Sequence, residues 1–298
     1  MMKAIIFGIN GQDGYYLSEL CRNNNIEVIG VSRNFDIMGW GTRIQGDVSD
    51  VALVSQLIAE HCPDYVFHLA AKSTTRHDSL FDNHAAISTG TMNILETVYR
   101  HSLPTKVFIT GSGVQFVNNG KPIGEDSDFA PLSPYAVARI HAVYLARYYR
   151  LMGVKVYVGY LFHHESPLRK PEHVSQMIAQ AVQRISLGSQ EKITLGNVDV
   201  RKEWTYAGDV AEAMLTLVNQ ERVFEATIGS GITYSIADWL ECCFSLIGER
   251  WSEHVIIKEN FTPEYQCLFS SPDTIKRLGW APQVDIKELA RLMVYNIL

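Results

Sequence analysis

Long apolar runs are missing from this 298-residue chain. None approaches membrane-spanning length, so an integral membrane protein is not expected. The opening run, Lys3–Phe7, is too short for a secretory signal and leads straight into glycine, which argues for a cytoplasmic location. Cysteine is scarce and odd in number. Cys21, Cys62, Cys242, Cys243 and Cys267 form no Cys-x-x-Cys spacing, which excludes a disulfide framework and the common zinc motifs. The adjacent pair Cys242-Cys243 lies in an apolar helical pattern and reads as packing. Basic charge is also short, 26 Lys and Arg against 32 Asp and Glu. The resulting net charge of −6 offers no bulk attraction to nucleic acid or an anionic membrane. Repeats and low-complexity tracts are absent. What remains, 47% apolar and 19% charged residues, is the composition of a globular protein with a large core.

The chain is organised around its start. Lys3-Ala4-Ile5-Ile6-Phe7 reads as a buried parallel strand. Gly8, Gly11 and Gly14 follow in a Gly-x-x-Gly-x-x-Gly pattern before an amphipathic segment through Leu20. Glycine serves such a turn twice: the backbone angles resist other residues, and a pyrophosphate must come close to the chain. The helix that follows presents free N–H groups and the positive end of its dipole to phosphates. On its own the pattern is a glycine-rich turn. At the head of an alternating strand–helix chain it predicts a dinucleotide site.

The alternation continues. Glu27–Ser32 reads as a second strand and ends in Ser32-Arg33-Asn34, without the acidic residue that would hold the ribose hydroxyls of NAD. Arg33 suits a 2′-phosphate, so NADP is favoured over NAD. Gly46-Asp47-Val48 closes a short third strand, and a helix over Val51–His61 stops at Pro63. Residues 65–71 form a fourth strand, with Lys72, Ser73 and Thr74 just beyond it, at the edge where ligands sit in open α/β sheets. A helical pattern covers 83–101, a fifth strand 106–110, and the polar loop 114–133 reads as a surface excursion. Pro134 opens a helix, where its missing N–H costs nothing, and 155–162 is a sixth strand. Beyond His163 the rhythm loosens into short strands at Ile193–Leu195 and 224–228. Helical segments fall near 174–187, 209–218, 236–246, 272–278 and 286–297. The expected fold is α/β: a Rossmann-type doubly wound parallel sheet over 1–162 and a smaller mixed α/β substrate-binding region over 163–298, from which about 204–235 returns to the sheet.

Ser112, Tyr135 and Arg139 are candidates for chemistry. Hydride transfer between a nicotinamide and a sugar carbon needs a group that moves a proton at the oxygen. A tyrosine does this when a nearby cation brings its pKa down from about 10. Tyr135 and Arg139 lie four apart on one helix and share a face, and Ser112, at a strand's C-terminal end, can hold the same oxygen. Taken singly, each is an ordinary loop serine, helix tyrosine or solvated arginine. The run His163-His164-Glu165 suggests metal ligands, but adjacent side chains at a strand end point apart, so no metal is expected.

These motifs resemble the extended short-chain dehydrogenases/reductases. Gly8-Ile9-Asn10-Gly11-Gln12-Asp13-Gly14-Tyr15-Tyr16-Leu17 and Ser133-Pro134-Tyr135-Ala136 carry the likeness to the superfamily. Leu161-Phe162-His163-His164-Glu165-Ser166-Pro167, Leu195-Gly196-Asn197, Glu203-Trp204, Ala207-Gly208-Asp209-Val210 and Leu278-Gly279-Trp280 narrow it, nearly end to end, to the GDP-mannose 4,6-dehydratase branch. The resemblance implies an NADP-bound enzyme of nucleoside-diphosphate sugars, a homodimer or homotetramer joined through the helices near 83–101 and 134–153. It implies cofactor contacts from Gly8, Asn10, Gly11, Gln12, Asp13, Gly14, Arg33, Asp47, Val48, Leu69, Ala70, Ala71, Tyr135, Arg139 and His164. Substrate contacts are implied for Ser73, His163, Glu165, Arg169, Val174 and Lys202.

Departures from the family pattern are equally informative. The lysine of Tyr-x-x-x-Lys is Arg139, which keeps the charge but is planar, larger and permanently protonated. The Ser-Thr-x-Glu stretch is Ser112-Gly113-Val114-Gln115. Gly113 has no hydroxyl, and Gln115, at the catalytic position of the base that removes the C5 proton, cannot take one; such a loss costs on the order of 10²- to 10⁴-fold in rate. The asparagine before His-Glu-Ser-Pro is His163, the paired arginines after it are Leu168-Arg169, and a further arginine is Lys202 with Arg201 beside it. An Arg-Pro near the C-terminus is Thr262-Pro263. Arg169, Lys202 and Arg201 are left to hold a diphosphate. Three functions stay open: hydride transfer at the sugar C4 by a 4-keto-sugar reductase or epimerase-like enzyme, GDP-mannose 4,6-dehydration, or a catalytically silent partner protein that binds cofactor and nucleotide. The first needs only Ser112, Tyr135 and the cofactor, and leads.

Overall fold

The computed structural model of the protein describes residues 1–35, 40–259 and 261–298. Its first half alternates strand and helix: β1 (Lys3–Phe7), α1 (Gln12–Asn23), β2 (Glu27–Ser32), β3 (Thr42–Gln45), α2 (Val51–His61) and β4 (Tyr65–His68). A short α3 (Leu80–Asn83) passes through a π-helical stretch, His84–Thr89, into α4 (Gly90–Arg100), and β5 (Lys106–Ser112), α5 (Pro134–Leu151) and β6 (Val156–Leu161) follow. Local chemistry sets several of these ends. Asp50 caps α2 by accepting from the N–H groups of Ala52 and Leu53, and left-handed Cys62 followed by Pro63 stops it. Ser133 caps α5 from the residue before Pro134.

The strands form one parallel sheet. From its edge the order is β3, β2, β1, β4, β5, β6, closed by β11 (Glu225–Ile228). The chain therefore runs outward from β1 to β3, then returns to the other side of β1 at β4. The connections leaving β1 and β4 run to opposite sides of that pair, which is where an open α/β sheet forms a crevice. Both faces are covered, so β1 is apolar at every inner position. Ile5 and Phe7 pack with α2, α4 and α5 residues, while Ala4 and Ile6 pack under α1 and α7 (Ala207–Val218). Each such fully buried Ile or Phe contributes about 1.5–3 kcal/mol.

Beyond β6, two-residue strands tie the chain into small ladders. β7 (His164–Glu165) pairs with β10 (Thr205–Tyr206), and β9 (Arg201–Lys202) lies between β12 (Tyr234–Ser235) and β14 (Cys267–Leu268). β8 (Ile193–Leu195) pairs with β13 (Val255–Ile257). A third core gathers α6 (Val174–Ser186), α8 (Ile236–Ser245) and α10 (Ile286–Val294) around the stacked rings of Trp204 and Trp239, 4.7 Å apart. A short α9 (Asp273–Arg277) lies against β11.

Several boundaries differ from the sequence reading. β4 ends at His68 because only Leu69 N–H still reaches the Phe7 carbonyl (2.9 Å); residues 69–75 then leave the ladder and line the cleft. β5 runs on to Ser112, paired with Leu161. The helix expected from 83 begins at Leu80. The loop 114–133 is not a free excursion: Phe116, Ile123 and Ala130 are buried, and Glu125 accepts from the Thr227 N–H at 2.6 Å. No helix among the described residues is long and apolar enough to cross a membrane.

Candidate active site

The glycine turn after β1 forms one wall of a cavity of about 720 Å³. Gly8 has φ +93°, and a Cβ there would lie 2.6 Å from the Ala70 nitrogen, so no other residue fits. A Cβ on Gly14 would strike Ile9 at 2.5 Å, whereas one on Gly11 would meet only the Gly8 carbonyl oxygen at 3.5 Å. Gly8 and Gly14 thus serve packing, and Gly11 leaves the approach open. The α1 N-terminus, capped by no side chain, presents its first N–H groups here. Asn10, Gln12, Asp13, Val48, Leu69, Ala70 and Ala71 complete the inner lining. Arg33 and Asp47 stand at the mouth, 3.9 Å apart. This cradle fits a dinucleotide: open glycine backbone and a helix N-terminus for the phosphates, and an exposed guanidinium at the far end.

Asp13 sits in the first turn of α1 and reaches across to His164. Its Oδ1 lies 2.9 Å from His164 Nε2, and His164 Nδ1 lies 2.7 Å from the Phe162 carbonyl. Both ring nitrogens face acceptors, so both carry protons. Burial opposes charge on each group, yet their mutual attraction outweighs it, holding Asp13 below the usual carboxylate range and His164 above the usual imidazole range.

A second cavity, about 380 Å³, opens from the first across Asp13, Leu69, Ser73, Thr74, Arg169 and His173. One wall holds Ser112, Gly113, Tyr135 and Arg139. Arg139 is almost fully buried. Its Nη1 donates to the Thr110 carbonyl at 2.6 Å and to the Thr110 hydroxyl, and its guanidinium lies 5.0 Å from the Tyr135 ring centre. Beneath it His68 is wholly buried; burial, then the Arg139 charge, push its pKa down to about 4. The expected shared face of Tyr135 and Arg139 is thus filled by a cation–π contact.

The opposite wall is cationic. Arg169 Nε lies 3.2 Å and Lys202 Nζ 4.0 Å from the two oxygens of Glu165, and Ser175 Oγ donates to it at 2.6 Å. Glu165 is buried behind these partners and does not line the cleft, so it orients the two cations. Val174, the first residue of α6, lines the cleft, and that helix also lacks a side-chain cap.

Glu165 therefore does not meet the expectation of a substrate contact, and two further expectations fail geometrically. Gln115 is fully buried: its Oε1 accepts from the Ser112 N–H at 2.8 Å in a capping box, which turns it away from the cleft. Arg201 points outward, donating to the Thr233 carbonyl (2.8 Å) and lying 3.7 Å from Asp238, because alternation in β9 sends it to the face opposite Lys202. The three side chains of His163-His164-Glu165 go to three different partners. Among the described residues no group of three or more His, Cys, Asp or Glu could hold a metal ion.

The family model described as GDP-mannose 4,6 dehydratase matches residues 5–293. The chain belongs to that family. GDP-mannose 4,6 dehydratase 1 of Arabidopsis thaliana is 31% identical over 318 residues, covering 98% of this chain and 88% of the relative. The fold is shared with UDP-glucose 4-epimerase of Thermotoga maritima, solved with UDP-glucose (TM-score 0.87, 19% identity, 99% and 98% covered). It is also shared with RMD of Pseudomonas aeruginosa, solved with NADPH (TM-score 0.86, 20% identity, 99% and 97% covered).

Within this dehydratase family member, sequence reasoning missed Tyr265, whose hydroxyl lies 2.8 Å from His163 Nε2, together with Thr110, His173 and Glu264 on the cleft. Tyr265 arrives from a loop some hundred residues beyond His163, with no local pattern to mark it. Thr110 already lay in the expected fifth strand, but nothing local marks its contact with Arg139 on a separate helix.

Proposed function

We propose that the protein is an NADP(H)-dependent enzyme acting by hydride transfer at C4 of a nucleoside-diphosphate sugar, as a 4-keto-sugar reductase or an epimerase-like enzyme. A nicotinamide, when bound, donates or accepts the hydride. Tyr135 moves the proton at the C4 oxygen, and Ser112 holds that oxygen by a hydrogen bond. Arg139 keeps a positive charge against the face of Tyr135. Arg169, Lys202 and the α6 N-terminus face the diphosphate. The observation that carries the reading is the division at the end of β5: Ser112 and Tyr135 line the cleft while Gln115 is sealed beneath it, leaving hydride chemistry equipped and C5 proton removal without its base.

Arg33 at the cavity mouth favours NADP over NAD. Exposed Met92 and Tyr99 on α4 and Val137, Tyr144 and Tyr148 on α5 favour a homodimer or homotetramer, and five free thiols suit the cytoplasm. Purified protein given NADPH and a panel of nucleotide 4-keto-6-deoxy sugars is expected to consume cofactor. No consumption with any of them would overturn the reductase form, no C4-epimerised product from any nucleotide sugar with bound cofactor would overturn the epimerase-like form, and both failures together would overturn the reading; a C6 methyl signal formed from GDP-mannose would mark a dehydratase instead.

A further inference from the structure

The cationic wall is short of charge. On this wall Arg169 and Lys202 contribute two positive charges and Glu165 cancels one, while Arg139, on the opposite wall, is committed to Thr110 and the Tyr135 ring. Asp13 and His164 cancel each other. The diphosphate diester of a nucleotide sugar carries two negative charges and no proton that titrates near neutrality. Unless another group charges, one negative charge is left unmatched in a cleft lined also by Leu268, Tyr265 and Val174.

Three imidazoles face this wall, and only one can charge without losing a hydrogen bond. His164 already donates from both nitrogens. Nδ1 of His173 accepts from Arg169 Nη2 at 3.2 Å, and a proton there would break that bond. His163 differs. Its Nε2 faces the Tyr265 hydroxyl, which accepts as readily as it donates, so a protonated Nε2 keeps the contact with the hydroxyl turned round.

Resting on the nucleotide-sugar reading above, we propose that His163 completes the diphosphate site: it takes up one proton as the substrate enters and binds it as an imidazolium steadied by Tyr265. In the free protein burial, then Lys202, Arg169, His164 and His173, hold His163 well below the usual imidazole range, so it starts neutral. The carboxylates nearest its partner Tyr265 are Glu264 and Glu165, and the Cys267 thiol is also close. Glu165 is already committed to Arg169, Lys202 and Ser175, and Glu264 is exposed.

The test is calorimetric titration of GDP-mannose, UDP-glucose and dTDP-glucose into the full chain near neutral pH, in buffers of different ionisation enthalpy. The tightest ligand is expected to bind with close to one proton taken up, its affinity falling about tenfold per pH unit on the alkaline side. His163→Gln should abolish both the uptake and the slope. His163→Arg should bind without uptake, and His173→Gln should retain uptake. Binding without proton uptake, or uptake surviving in His163→Gln, overturns the proposal alone. Failure of all three ligands to bind overturns the nucleotide-sugar reading and the proposal together.

Discussion

His164→Gln is expected to weaken cofactor binding by about a hundredfold, and adding Asp13→Asn to restore most of it. The argument is electrostatic. A dinucleotide pyrophosphate brings two negative charges to the α1 N-terminus, where Asp13 already stands in the first turn. The carboxylate is tolerable there because His164, 2.9 Å away, neutralises it. Left unneutralised, the carboxylate repels the bound phosphates, and two unit charges about 5–6 Å apart interact by about 3 kcal/mol at an effective dielectric of about 20, apt for side chains 12% and 23% exposed. About 3 kcal/mol corresponds to roughly two decades in affinity. The double variant removes the stranded charge and should return to within about tenfold of wild type. NADPH fluorescence titrations of the four proteins form the cycle. The pH sign follows: a histidine raised above its unfolded pKa keeps the pair intact below about 6.5 and loses it as pH rises through the folded value. Wild-type affinity should fall on the alkaline side, and His164→Gln should be flat there. If the double variant binds as weakly as His164→Gln, the pair does not act by neutralising Asp13 and the reasoning fails.

Arg33→Ala should weaken NADPH by roughly 10- to 100-fold, the worth of one or two charge-assisted hydrogen bonds, and leave NADH unchanged in the same titration. Gln115→Glu should lower stability by about 1–3 kcal/mol in urea, since the new carboxylate would occupy a fully buried site, and should bring no solvent deuterium into C5 of GDP-mannose. Arg139→Ala should cost about 3–4 kcal/mol by the same assay, combining the lost charged bond to Thr110 with the lost contact to Tyr135. Burial would raise the Glu225 pKa, but Arg147, Tyr160 and Arg150 outweigh it and draw it down to about 2. Glu225→Gln should therefore cost about 2–3 kcal/mol above pH 4.5, a difference that shrinks to nothing as acid unfolding approaches pH 2.

The elements that sequence alone located are those with punctuation at both ends. Val51–His61 is bounded by Asp50 and Pro63, and β1 by the break at Gly8, so their limits follow from local chemistry. Polar composition misled for 114–133, because three apolar residues spread along it carry its burial and a distant Glu125–Thr227 bond pins it. Site residues on the glycine turn were legible because backbone requirements select glycine. Arg201 and Lys202 were not separable, since a two-residue strand is too short to show alternation. The inward or buried fate of Gln115 depended on whether it reached the Ser112 N–H, which no spacing encodes.

That fate also bears on the silent-partner reading. Gln115 is not a vacated catalytic position: its Oε1 fixes the Ser112 N–H, so a side chain that cannot remove a proton orders one that lines the cleft. The costs carried elsewhere point the same way. Asp13 paired with His164, Arg139 sealed against Tyr135, and Lys202 held beside Glu165 are charges kept out of water, where replacement by apolar packing is often neutral or stabilising. A protein that only held cofactor and nucleotide would need the first and third of these. The second, a buried guanidinium laid against a tyrosine that lines the same cavity as Ser112, has a use when that tyrosine must handle a proton.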